Sequence, residues 1–174
     1  MKFRKMLGEI DWEECKEMMS VIETQSKETL ALWGIEYVKE NYVTIYKKHH
    51  QNSEKIIEEV IDVCEKTIKE KTDWKVVKPL LKDARQYSST IKDPIAQAAA
   101  RAISTACAIY QTPTNALGFI YYGAAAVAYD ELDIDKVQAD YDKVAKKEWQ
   151  KALSSLKQHA KENETNPVKV KWNC

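Results

Sequence analysis

Apolar positions recur at intervals of three and four along almost the whole chain, the period of amphipathic helices. Asp11-Trp-Glu-Glu14 reads as an N-cap with Glu at the third helical position, opening a helix through Met18, Met19 and Ile22. Ser26 opens a second, in which Leu30, Trp33, Gly34, Tyr37, Val38, Tyr42 and Ile45 repeat over about five turns. The Lys47-Lys48-His49-His50 cluster falls in its last turn, where positive charge suits the helix dipole and the histidines are expected in solvent. Ser53 caps a third helix with Ile56, Ile57, Val60, Ile61, Cys64 and Ile68 on one face. Pro79 marks the first position of a fourth, preceded by a turn at 75–77.

The segment from Asp93 to Leu132 has a different texture. Asp93-Pro94 and Thr112-Pro113 each place a small polar N-cap before a proline, whose missing N–H costs nothing in a first turn. The fifth helix carries an unbroken stripe of Ile95, Ala98, Ala99, Ala102, Ile103, Ala106, Cys107 and Tyr110. The sixth is apolar on nearly all sides: Ala116, Leu117, Ile120, Ala124, Val127 and Ala128 form one stripe, and Phe119, Tyr122, Ala126 and Tyr129 another. Small side chains let two helix axes approach closely. A last helix covers about Asp135 to Glu162, with Val137, Tyr141, Val144, Ala145, Trp149, Ala152, Leu153 and Leu156 inward. The expected fold is all-α: a single-domain bundle of six to seven helices over residues 1–174, around a central Ala-rich hairpin. Residues 1–10 form an N-terminal segment. The tail 163–174 carries Trp172 and is expected to dock on the bundle, since a free tail seldom holds a tryptophan.

Composition narrows the function classes. Lys plus Arg equals Asp plus Glu at 27 each, so no global field draws the chain to nucleic acid or an anionic membrane. Met1–Ile10 is basic but has no apolar core or small-residue cleavage site, and Ala116–Tyr129 is too short to span a bilayer. A cytoplasmic location is expected. The four cysteines (Cys15, Cys64, Cys107, Cys174) show no CxxC spacing, three lie on apolar faces, and only Cys174 is expected to be exposed.

The motifs of familiar chemistry are missing. No histidine has an acid three positions before it, and there is no His-Glu-x-x-His, so no metal site is expected. Gly-x-Ser-x-Gly, phosphate-loop and dinucleotide-binding patterns are also absent, and no catalytic residue or cofactor is proposed. The carboxylates read as solvent-facing among lysines. Two features suit a partner surface. Asp130, Glu131, Asp133, Asp135, Asp140 and Asp142 fall within thirteen positions opposed only by Lys136; they either serve the helix dipole or attract a cationic partner. The stripe containing Tyr122 and Tyr129 is either core or, if exposed, a pair of interface anchors.

Three segments carry a family resemblance: the Ala-rich run Ala96–Ala108, the following TPTNALGFIYYGAAAVAYDEL, and the ending NPVKVKWNC. They resemble the bacterial all-helical immunity proteins grouped with polymorphic-toxin systems. That family's hallmark is an Ala-rich helix, a short connection and a His-Ala-Leu-Gly-like helix start before a Tyr- and Ala-rich stretch. The element here is Asn115-Ala116-Leu117-Gly118, with Asn115 in place of the histidine. The resemblance implies a non-enzymatic protein that neutralises a cognate bacterial toxin by stoichiometric occlusion. Two other readings stay open: a small-ligand binder or enzyme with a pocket between the Ala-rich pair and Trp33, Tyr37, Tyr110 and Tyr121, and a homo-oligomer formed through the sixth helix.

Overall fold

The structure is a computed structural model describing residues 3–51 and 54–173. The expected Ser53 cap and Cys174 lie outside the described residues. Among those described, eight α-helices follow one another: α1 (Glu13–Ile22), α2 (Lys27–Asn41), α3 (Val43–His49), α4 (Ile56–Glu70), α5 (Val77–Thr90), α6 (Pro94–Cys107), α7 (Asn115–Leu132) and α8 (Gln138–His159). A single 3-10 turn at Trp74–Val76 precedes α5, and no strand occurs among the described residues.

The helix count exceeds the expected six to seven because the long second helix is broken at Tyr42. That residue takes φ −112° and ψ −25° between α2 and α3. Its ring is fully buried against Gly123 of α7, and its hydroxyl donates to Glu148 of α8 at 2.8 Å. The apolar period runs straight through the break, because Tyr46 in α3 still points inward, so the pattern alone cannot show it.

Two of the predicted caps form and two do not. Ser26 Oγ accepts from Thr29 N at 3.2 Å, and Asp93 Oδ1 accepts from Ile95 N and Ala96 N, with Pro94 first in the helix. Asp11 caps nothing: α1 begins one residue after Trp12, whose side chain makes no cap. Thr112-Pro113 is a turn rather than a helix start. Thr112 N donates to Ala108 O at 2.9 Å, Asn115 N donates back to Thr112 O at 3.0 Å, and α7 begins only after Thr114. Pro79 is the third residue of α5, not the first.

α6 and α7 pack more extensively on each other than any other pair, with α2, α3, α4 and α5 gathered on α6 and with α1 and α8 on α7. Every alanine of α6 and α7 is buried, so backbones meet at alanine distance, as the stripe predicts. Both apolar stripes of α7 are covered, apart from half-buried Tyr122 and Val127, which leaves little of this helix for a homo-oligomer.

Both ends of the chain lie against the helices. Leu7 N donates to Tyr121 O, and Trp149 Nε1 donates to Leu7 O, each at 3.0 Å. Gly8 crosses the Trp149 indole at φ +136°, where a Cβ would sit 2.5 Å from Nε1; only glycine fits. At the other end Val168 N donates to Gln25 O at 2.8 Å, and Trp172 Nε1 donates to Glu23 at 2.8 Å. Glu164 accepts from Ser26 N and from the Ser26 and Thr29 hydroxyls. Burial works against its ionisation, but these bonds outweigh it and hold the carboxyl below its ordinary value.

Candidate functional site

The acidic stretch 130–142 spans the end of α7, its connection to α8 and the first turn of α8. Its acids are not equally free. Asp130 sits at the C-terminus of α7, where the dipole disfavours an anion, yet it is paired with Lys48 at 2.7 Å and His49 Nε2 at 2.6 Å. Burial opposes ionisation of Asp130, and the Lys48 and His49 contacts overcome it, leaving the carboxyl below its usual range. The histidine cluster is therefore structural rather than solvated: His49 holds Asp130, and His50 Nε2 meets the Tyr87 hydroxyl at 2.7 Å. Asp135 pairs with Lys136, Asp140 lies 3.6 Å from Lys143, and Asp142 accepts from Gln138. Glu131 and Asp133 are exposed, and Asp133 takes φ +59° where the chain leaves α7.

The same connection carries two exposed apolar side chains, Ile134 at 44% and Val137 at 63%. Val137 is expected inward on the last helix, but α8 starts only at Gln138, and Val137 is extended backbone before it, outside the helical period. The tyrosines divide. Tyr129 is only 2% exposed and donates its hydroxyl to Arg4 O at 2.6 Å, so it presents no anchor to a partner. Tyr122 is half-buried, on a different face.

Of the four aromatic residues expected around a pocket, Trp33 and Tyr37 meet at 6.0 Å between centroids, while Tyr110 and Tyr121 pack elsewhere. Trp33 and Tyr37 pack edge-on against Phe119 with centroids 5.2 and 6.1 Å apart, while Tyr121 packs on Trp149 and Tyr110 on Trp74, each at 4.7 Å. At the centre of the first cluster lies Glu148, a carboxylate only 5% exposed. Its Oε1 accepts from the Tyr37 hydroxyl at 2.7 Å and the Tyr42 hydroxyl at 2.8 Å. Burial raises the Glu148 carboxyl above its ordinary 4.5, although both hydroxyls and Lys151 pull the other way. Burial and the neighbouring carboxylate push both tyrosines far above their ordinary value, so they stay neutral donors. The triad closes on itself and joins α2, α8 and the α2–α3 break.

Glu148 overturns the expectation that carboxylates lie in solvent. The signal was available: Glu148 follows Val144 by four and Ala145 by three, on the inward stripe of α8.

A second arrangement was not anticipated. A cleft of about 640 Å³ opens between α5, α6, α7 and the N-terminal segment, and its lining includes Lys5, Arg85, Arg101, Thr105, Asn115 and Tyr122. Each helix supplies residues three or four apart: Arg85 and Ser89 from α5, Arg101 and Thr105 from α6, and Asn115, Gly118 and Tyr122 from α7. On α6 and α7 these are polar interruptions in otherwise apolar helices, and that was the legible clue; α5 is polar along most of its outer face and gave none. No carboxylate lines the cleft, and neither arginine is paired with a described acid.

Among the described residues no group of three or more His, Cys, Asp or Glu side chains could hold a metal ion, and no helix is long and apolar enough to cross a membrane. Cys15, Cys64 and Cys107 are buried; Cys15 Sγ lies 3.3 Å from the Tyr121 hydroxyl, and Cys64 Sγ donates to Cys107 O at 3.6 Å. The fold and these sites together define an all-helical bundle with a sealed aromatic–carboxylate core and its open chemistry confined to the surface. Residues 20–158 match the model of one protein family, described as "Imm-5 like putative immunity protein". The chain belongs to that family of immunity proteins. No curated protein and no solved structure matches it.

Proposed function

We propose that this protein binds a cognate protein toxin and neutralises it by stoichiometric occlusion, with no catalytic step of its own. Membership of an immunity-protein family supports the class of function. The observation that carries the interface is the α7–α8 connection. Ile134 and Val137 stand exposed there, interleaved along the chain with the exposed acids Glu131, Asp133 and Asp135 and followed by Asp140. Apolar anchors inside a charged rim are the usual anatomy of a protein interface. The acids would steer a cationic toxin surface into contact and make association salt-sensitive, while the apolar pair would hold it. Asp130 and Asp142, half-buried and partnered, would contribute less; Tyr122 lines a different face and Tyr129 is internal.

The test is capture of the tagged protein from its own host at native level, followed by expression of each stoichiometric partner alone and together with this chain. The expected result is a partner that arrests growth alone and is silenced by this chain. Ile134→Lys should then lose protection, and charge reversal at Asp133, Asp135 and Asp140 should slow association by about tenfold at low salt. A toxic partner silenced equally well by both variants would remove this surface from the interface. A chain that protects against no captured partner would overturn the neutralisation reading.

A further inference from the structure

The cation-lined cleft is built from four separate parts of the chain and lies apart from the α7–α8 connection. Its volume of about 640 Å³ falls in the range of small-molecule sites, roughly 300–1,000 Å³. Two of the chain's three arginines, Arg85 and Arg101, line it together with Lys5. Three like charges in one concavity repel one another and are tolerated best when an anion sits between them.

The hydrogen-bonding inventory completes the picture. Ser89 and Ser104 spend their hydroxyl protons on the carbonyls of Gln86 and Arg101, so they offer lone pairs to the cleft. Among the described residues the Thr105 and Tyr122 hydroxyls have no hydrogen-bond partner, while Asn115 Nδ2 donates to Ala108 O at 3.5 Å and leaves its Oδ1 to the cleft. Gly118 leaves room: a Cβ there would meet Thr105 and Asn115 only at 3.7 and 3.8 Å. The positive end of α7 opens at Asn115, although its first N–H groups are already used within the turn Thr112–Thr114.

We propose that this cleft binds a small organic oxyanion of charge two or more, a phosphate ester or a cluster of carboxylates on a hydroxylated frame. The guanidinium groups of Arg85 and Arg101 would grip the anionic head through paired N–H donors, with Lys5 closing over it. The serines, Asn115, Thr105 and Tyr122 would take the polar body. A nucleic acid fits less well, since a chain of zero net charge exerts no general field on a polyanion. The assignment stands independently of toxin neutralisation.

The experiment is calorimetric titration of the full chain with inorganic pyrophosphate, inorganic phosphate and citrate at constant ionic strength. Saturable one-to-one binding is expected for at least one probe. The pyrophosphate and citrate arms tell which oxyanion the cleft prefers. The Arg85→Gln/Arg101→Gln double variant should bind at least about tenfold more weakly, because two charge-assisted contacts are lost. Gly118→Glu, whose new side chain has space to enter and brings a repelling carboxylate, should abolish binding without disturbing the fold. Lys66→Gln/Lys147→Gln removes the same charge from exposed positions elsewhere and should bind like the parent. No saturable binding of any probe overturns the proposal, as do equal affinities across all four proteins.

Discussion

The two glycines of α7 lie five residues apart and face opposite fates. At Gly123 a Cβ would sit 2.1 Å from the Tyr42 ring, whereas at Gly118 it would meet nothing nearer than 3.7 Å. One side of the helix is therefore locked into the Tyr42–Glu148 junction, where hydroxyls satisfy a buried acid. The other side lines a cleft whose arginines pair with no acid among the described residues. A helix apolar all round reads as uniformly central, yet its two sides do different work: one fixes how four elements meet, and the other leaves chemistry unspent.

The largest effect should come from filling the locked side. Gly123→Ala gains about 1 kcal/mol of helix propensity but must displace a ring that is fully buried and tied to Glu148. Overpacking of this kind costs about 1–3 kcal/mol, and freeing the Tyr42 hydroxyl adds about 1–3 more. A net loss of about 1–5 kcal/mol is expected in denaturant unfolding; unchanged stability would mean that Tyr42 has another place to go.

Comparable in size is the loss of the acid that the tyrosines serve. Glu148→Ala strands two buried hydroxyls and opens a void, a loss of about 2–5 kcal/mol. Glu148→Gln keeps the shape and isolates the ionisation. Because the folded carboxyl titrates above its unfolded 4.5, its contribution is fully present below that value and is lost as pH rises through the folded pKa. Parent stability relative to Glu148→Gln should therefore fall as pH is raised from about 4 toward neutrality. Urea midpoints across that range would show it, and a rising difference would contradict a buried carboxylate dominated by desolvation.

Asp130 should behave with the opposite sign. Its folded carboxyl titrates below its ordinary 3.8, so its contribution is present above that value and disappears as pH falls through the folded pKa. Asp130→Asn should cost at most about 1 kcal/mol at neutral pH, since Lys48 is mostly in solvent, and the gap should close in acid. Parallel pH series for the two variants would cross the same range in opposite directions.

Much of the frame was legible in the residues. The Ala-rich pair, the Asp93-Pro94 and Ser26 caps and the inward stripes of α4 and α8 follow from spacing alone, because each depends on neighbours three or four positions away. What escaped depends on distant partners. Tyr42 breaks a helix for the sake of a carboxylate 106 positions away. Asp130 looks unopposed because its cations come from α3, 81 and 82 positions earlier. Thr112-Pro113 and Asp93-Pro94 share a local chemistry, yet only the second starts a helix; in the first, Thr112 is already bound to Ala108 at the end of α6. The two polar clusters could still have been suspected. Glu148 interrupts an inward stripe, and Asn115, Gly118 and Tyr122 share one side of a greasy helix.

The smallest effect belongs to the open side, and its sign is reversed. Gly118 lies within α7 at an ordinary helical position, so it pays the entropy of glycine with no close approach to justify it. Gly118→Ala adds a Cβ in ordinary contact with Thr105 and Asn115 and should raise stability by about 0.5–1 kcal/mol. For a chain of this size that corresponds to a thermal midpoint about 1–4 °C higher. The same substitution takes little volume from a cleft of about 640 Å³, so oxyanion titration should be nearly unchanged. A stability loss would show that this side of α7 is as tightly packed as the other, and the contrast between the two glycines would collapse.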